Sequence, residues 1–109
     1  MNTSEKFIIY TLINQRRLQA EFRKLTGLNR SDLELIAFAS QKDLFTAYQV
    51  YNYFINMNIQ QARSSIRKLV KQQIFELLHA GSRGNVAIYC LSISGKKKLA
   101  AYIQLWTVQ

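Results

Sequence analysis

Few residues of this chain suit covalent or metal chemistry. His79 and Cys90 are its only histidine and cysteine, and a metal site usually needs three or four ligands. The six acids are scattered, so no carboxylate pair is placed for general acid–base work. No Ser-His-Asp order, phosphate-binding glycine loop or GxGxxG occurs. Neither an enzyme nor a cofactor nor a metal is expected. The dense chemistry lies instead between Gln60 and Lys71. Gln60, Gln61, Arg63, Ser64, Arg67, Lys68 and Lys71 fall in that stretch with no acid among them. Glutamine can bond N6 and N7 of adenine, and arginine O6 and N7 of guanine. Arginine and lysine also hold phosphates. Reversible recognition of a polyanion is the chemistry these types suit.

The charge of the whole chain agrees. Fifteen Lys and Arg face six Asp and Glu, a formal charge of +9. Residues 1–54 carry seven basic residues and five acids, and residues 55–109 carry eight basic residues and the single acid Glu76. The second half is therefore the anion-binding half, with nucleic acid or an anionic membrane surface as the partner class. The apolar run Phe7 to Ile13 falls far short of the roughly 18–20 residues of a membrane span. Its basic residues (Arg16, Arg17, Arg23, Lys24) follow the apolar part, the reverse of a signal peptide. A lone cysteine fits a reducing compartment. A cytoplasmic protein with no membrane association is expected.

The elements that would position these residues are legible as periodicities. At 109 residues, with no proline and four glycines, the chain reads as a single mainly helical domain, 1–109. A first helix over about 3–25 is apolar nearly all round in its first half, which calls for more than one packing surface. Either a second subunit or the chain's own core supplies it. Ser31 with Glu34 reads as a capping box opening a second helix that ends near Ser40. Thr46 with Gln49 is another, opening a short helix. Asn58 caps a longer helix to about Gln73. On that helix Ile59, Ala62, Ile66 and Leu69 face the core, opposite the Gln/Arg/Lys face. Ile74–His79 and Val86–Leu91 read as two strands joined by a glycine-containing polar loop. Ser92 or Ser94 then caps a final helix over about 93–106. Helix, turn, basic helix and hairpin, in that order, make a winged helix-turn-helix, with the motif at about 46–73 and the wing at about 74–91. The fold class expected is mainly α with a small β-hairpin, the first and last helices serving dimerisation. Tyr48, Tyr51 and Tyr53 are expected as core and rim of the short helix, and Cys90 as a packed strand residue.

From Leu28 to Ile103 the chain resembles the MarR family of bacterial transcriptional regulators. Three stretches carry the likeness: Leu44-Phe45-Thr46-Ala47-Tyr48-Gln49-Val50 at the start of the motif, Lys68-Leu69-Val70-Lys71-Gln72-Gln73-Ile74-Phe75 where the recognition helix ends, and Leu91-Ser92-Ile93-Ser94-Gly95-Lys96 after the wing. Gln73 stands where the family usually has glycine. Arg83, between two glycines, is the nearest equivalent of the family's acidic-Arg wing tip. The sequence stops soon after Trp106, where many relatives continue into further dimerising helices, so the smaller SarA-like relatives match better in size. A large effector pocket is not expected, and a small-molecule effector is possible but not indicated.

The resemblance and the residues together imply sequence-specific binding of double-stranded DNA by a homodimeric regulator. The recognition helix would enter the major groove, with Gln60, Gln61 and Ser64 nearest the bases, Arg63 and Arg67 on bases or phosphates, and Lys68 and Lys71 on phosphates. Thr46 would cap a helix whose amides face a phosphate, and Arg83 would reach the minor groove or flanking backbone. Phe7, Ile8, Leu12, Ile103 and Trp106 are the dimerisation candidates. Lys96-Lys97-Lys98 is either a solvated run or a further phosphate contact. The alternatives are an accessory factor of a plasmid, phage or mobile element on the same fold, or a protein–protein interaction module docking through its first helix.

Overall fold

The computed structural model describes residues 2–107. Five helices and one hairpin follow the expected order. Helix α1 spans Thr3–Thr26, α2 Arg30–Ser40, α3 Ala47–Tyr53 and α4 Ile59–Lys71, followed by β1 Phe75–His79, β2 Ile88–Leu91 and α5 Ile93–Thr107.

The caps explain the boundaries. Asn2 accepts from the Glu5 amide at 2.8 Å and opens α1. Gly27, in the left-handed conformation at φ 76°, closes it, its N–H donating to the Arg23 carbonyl. The capping box of α2 is not Ser31 with Glu34 but Asn29 with Asp32. Asn29 Oδ1 accepts from the Asp32 amide at 2.9 Å, and Asp32 Oδ2 accepts from the Asn29 amide at 3.1 Å. Glu34 is an exposed partner of Arg30 at 3.1 Å, whereas Asp32 is buried, so the buried acid sets the start of the helix. Thr46 with Gln49 and Asn58 with Gln61 form complete capping boxes on α3 and α4.

The end of α4 answers the absence of glycine at position 73. Gln73 itself adopts φ 63°. Its N–H donates to Val70 and that of Ile74 to Leu69, both at 2.9 Å, the paired bonds of a Schellman motif, with Ile74 and Leu69 both buried beneath. Ile74 is thereby drawn into the turn, and β1 starts one residue later than its apolar pattern suggests.

The hairpin is antiparallel, with Phe75 opposite Leu91, Glu76 opposite Cys90 and Leu77 opposite Tyr89, then an irregularity before His79 meets Ile88. Phe45 exchanges two 2.9 Å backbone bonds with Tyr89, which ties the wing to the residue just ahead of α3. The core joins Phe22 of α1, Leu35 and Ile36 of α2, Val50, Ile66 and Leu69 of the motif, and Phe45 and Phe75 beside the wing. The Phe45 and Phe75 rings meet edge-on at 4.9 Å. After the wing, the Ser92 hydroxyl lies 2.7 and 2.8 Å from the Gln73 and Ile74 carbonyls and accepts from the Gly95 amide. Ser92, not Ser94, is the cap. A Cβ on Gly95 would fall on the Leu91 side chain and 2.5 Å from the Ile74 carbonyl oxygen, so the resemblance's Leu-Ser-x-x-Gly stretch fixes where α5 leaves the wing.

Only Leu18 and Phe22 of α1 are buried. Tyr102 meets Phe22 edge-on at 5.4 Å, and Trp106 lies 5.7 Å from Tyr10. The second half of α1 thus packs on the domain's own core, while Phe7, Ile8, Ile9, Leu12 and Ile13 stay exposed.

Candidate nucleic-acid interface

Helix α4 is strictly two-faced. Ala62, Ile66 and Leu69 are buried, and Ile59 is half-buried beside them. Gln60, Gln61, Arg63, Ser64, Arg67, Lys68 and Lys71 are all exposed. The core anchors fall at i, i+4 and i+7, so the polar residues between them have no course but outward.

The polar face is nevertheless not uniform. Gln60 and Ser64 make no side-chain hydrogen bond among the described residues. Gln61 gives its amide oxygen to the Asn58 N–H at 2.8 Å, which leaves its NH2 group outward. Lys68 turns toward α2, its ammonium bonded to both oxygens of Asp32 at 3.1 and 2.9 Å. Lys71 is exposed in the last turn, where a cation also suits the helix dipole.

Arg63 and Arg67 turn toward the wing. Together with Tyr48, Asn85 and Tyr89 they line a cleft of about 390 Å³ between α4, the start of α3 and the hairpin. The Arg63 Nη2 donates to the Tyr48 hydroxyl at 3.1 Å, and its guanidinium carbon lies 5.6 Å from the centre of the tyrosine ring. Tyr48, Tyr51 and Tyr53 are exposed rather than core residues, because the short α3 buries only Ala47 and Val50. Nothing local pairs Tyr48 with Arg63, fifteen residues away, so the sequence offered no signal for this contact.

Arg83 occupies the wing tip. Ser82 and Asn85 exchange backbone bonds of 3.1 and 2.9 Å, and Gly84 at φ 84° completes the sharp turn that holds Arg83 outward. The Thr46 hydroxyl accepts from the Gln49 amide at 3.3 Å and is occupied as a cap. Lys96 and Lys97 are exposed and Lys98 is half-buried. Lys96 borders a different notch, with Lys42, Asp43 and Cys90. The Cys90 thiol faces Glu76 across the hairpin, and burial, with the Glu76 carboxylate second, raises its pKa.

Of the dimerisation candidates, Phe7, Ile8, Leu12 and Ile103 are exposed. Trp106 is half-buried within the chain itself, against Tyr10 and Tyr102. An open groove of about 1010 Å³ runs between α2, the α3–α4 turn and α5, bordered by Phe38, Tyr53, Ile55, Met57, Leu99 and Ile103. Among the described residues no cluster of three metal-ligating side chains occurs, and no helix is long and apolar enough to cross a membrane.

No protein-family model and no curated protein matches the chain. Solved structures do. A variant of MepR from Staphylococcus aureus bound to an oligodeoxyribonucleotide superposes with a TM-score of 0.73 at 13% identity, over 98% of this chain and 78% of that one. A variant of MarR from E. coli complexed with operator DNA gives 0.70 at 14% identity, over 96% and 79%. A MepR-like protein complexed with pseudoligands gives 0.68 at 16% identity, over 95% and 75%. The chain has the winged-helix fold of these transcription regulators.

Proposed function

We propose that this chain is a MarR-type transcriptional regulator that binds double-stranded DNA sequence-specifically, as a cytoplasmic homodimer. The observation that carries the reading is the exposed, acid-free face of α4 beside a wing with Arg83 at its tip. A merely solvated helix usually mixes signs. Two of the similar structures, of MepR and of MarR, hold DNA, which supports the same use of the fold here.

In this reading Gln60 and Ser64 meet base edges in the major groove, joined by the free NH2 of Gln61. Arg67 and Lys71 hold phosphates, and Arg83 reaches the minor groove or flanking backbone. Lys68 serves chiefly to hold α4 on α2, and Thr46 to start α3. The exposed apolar side chains of α1 (Phe7, Ile8 and Leu12), continued by Ile103, meet their counterparts in a second copy, with Trp106 supporting them from within. A two-fold pair presents two α4 helices about 34 Å apart, the spacing of successive major grooves.

The test is fluorescence anisotropy on a mixed-sequence duplex across a salt series, with size exclusion alongside. A dimer whose log affinity falls by several units per log unit of salt is expected, with Arg67→Ala lowering that slope by about one. A monomer without duplex affinity at low salt would overturn the reading and favour a module that docks a protein through α1. Binding confined to an origin or element end rather than a promoter would favour the accessory-factor alternative.

A further inference from the structure

We infer that Tyr48 and Arg63 form one preassembled binding unit for a backbone phosphodiester, seated in the cleft between α4 and the wing. The inference rests on the DNA reading above and deepens it, because sequence left Arg63 open between base and phosphate.

Three observations converge. First, the Arg63 guanidinium is held by one exposed neighbour, Tyr48, through a 3.1 Å bond to its hydroxyl with the ring centre 5.6 Å away. A cation over an aromatic face with one N–H fixed has lost much of its freedom before any ligand arrives. Second, the charge remains available. Among the described residues no carboxylate lies within ion-pair distance of Arg63, and the tyrosine hydroxyl is neutral. One of five guanidinium donors is used, so the rest of the fork can still meet an anion. Third, the hydroxyl accepts from Arg63, so its own proton is free to donate. That proton supports an anion only where the fixed Arg63 fork has already drawn it, and Arg67 lines the same cleft.

The position selects the ligand. When a recognition helix lies in the major groove and the wing over the neighbouring groove, the ridge between them is the sugar–phosphate backbone. The cleft that receives this ridge is bordered by two arginines and no acid. Arg63 is therefore aimed at the ridge and not at the groove floor, where Gln60 and Ser64 point. Its contribution should be nearly independent of base sequence.

The test uses Arg63→Ala, Arg63→Lys, Tyr48→Phe and the Arg63→Ala/Tyr48→Phe double variant, on specific and mixed-sequence duplexes across a salt series. Arg63→Ala should weaken both duplexes by the same factor, about tenfold, and lower the salt slope by about one. Arg63→Lys should keep the slope and lose part of the affinity, since a point charge replaces the fork. Tyr48→Phe should weaken binding about three- to tenfold with the slope unchanged, because a hydrogen bond goes but no charge does. The double variant should match Arg63→Ala within about twofold, the mark of a coupled pair. Both side chains are exposed, so unfolding midpoints should not move.

Multiplying independent losses in the double variant would overturn the pairing. A loss in Arg63→Ala confined to the specific duplex would overturn the phosphate assignment and make Arg63 a base reader. Either result leaves DNA binding by the unaltered protein intact. Failure of the unaltered protein to bind any duplex overturns the DNA reading and this inference with it.

Discussion

The Lys68 ammonium is bonded to both carboxylate oxygens of Asp32, across 36 residues of sequence, and so bolts α4 to the start of α2. The Asp32 side chain is 4% exposed and that of Lys68 45%. A carboxylate so buried requires partners, and it has two: the lysine and the Asn29 amide of its capping box.

Removing the lysine leaves the buried charge with one partner. Loss of one member of a fully buried pair costs about 3–5 kcal/mol, and the half-exposed lysine here reduces that. We expect Lys68→Ala to lower unfolding stability by about 1–3 kcal/mol in urea titration, and Asp32→Asn in the same chain to restore part of it. The salt slope of duplex binding should fall less than for Arg67→Ala. Unchanged stability with a full unit of lost slope would mean that Lys68 leaves Asp32 for a phosphate.

Gln73 sits in the left-handed region at φ 63° inside a complete Schellman motif. The left-handed conformation costs an L residue about 1–2 kcal/mol, and glycine returns part of this gain as freedom in the unfolded chain. Gln73→Gly should therefore stabilise the protein by a net ~0.5–1 kcal/mol, read as a raised urea midpoint at unchanged m. A lowered midpoint would show that the Gln73 side chain contributes more than its backbone strains.

Leu12 is 70% exposed on the apolar part of α1. If two copies meet there, Leu12→Glu places an unpaired charge at their contact. The dimer dissociation constant should rise by about two orders of magnitude, a few kcal/mol, with the far-ultraviolet circular dichroism unchanged. Sedimentation velocity across a concentration range checks this, and an unperturbed dimer would move the interface off α1.

Cys90 is expected to be sluggish. Burial first, and the facing Glu76 carboxylate second, raise its thiol pKa, with Lys96 pulling weakly the other way. Because the folded value is raised, the thiol's contribution to stability is full below the unfolded value and is lost as pH rises through the folded one. At mildly alkaline pH, alkylation should be several-fold slower in the folded protein than in urea, and Glu76→Gln should speed it. Faster alkylation of the folded chain would mark an activated thiol, the environment of a redox-sensing cysteine.

Much of the architecture was legible because its determinants are local. Thr46 with Gln49 and Asn58 as a cap were readable from side-chain types at fixed offsets, and each is present. The two faces of α4 followed from its 3.6-residue period. Ser31 with Glu34 failed because Asn29 with Asp32 offered an equally good local pattern, and the choice depended on which acid is buried. Tyr48 was misplaced for a similar reason. A seven-residue helix buries one narrow stripe, and whether a tyrosine lies on it is set by neighbours distant in sequence.

The sequence alone determined the order of elements, the excess of positive charge in the second half, and the face of α4 that turns away from the core. Those follow from periodicity, capping chemistry and composition, each of which acts over a few residues. Tertiary structure alone decided how the basic residues divide their work: Lys68 drawn to Asp32, Arg63 fixed by Tyr48 at the wing cleft, and Gln60 and Ser64 left unoccupied. The physical reason is that a side chain's partner is chosen by three-dimensional proximity, and burial raises the penalty for leaving a polar group unpaired. Neither distance nor burial is written in the local pattern until α2, α4 and the hairpin have closed on a common core.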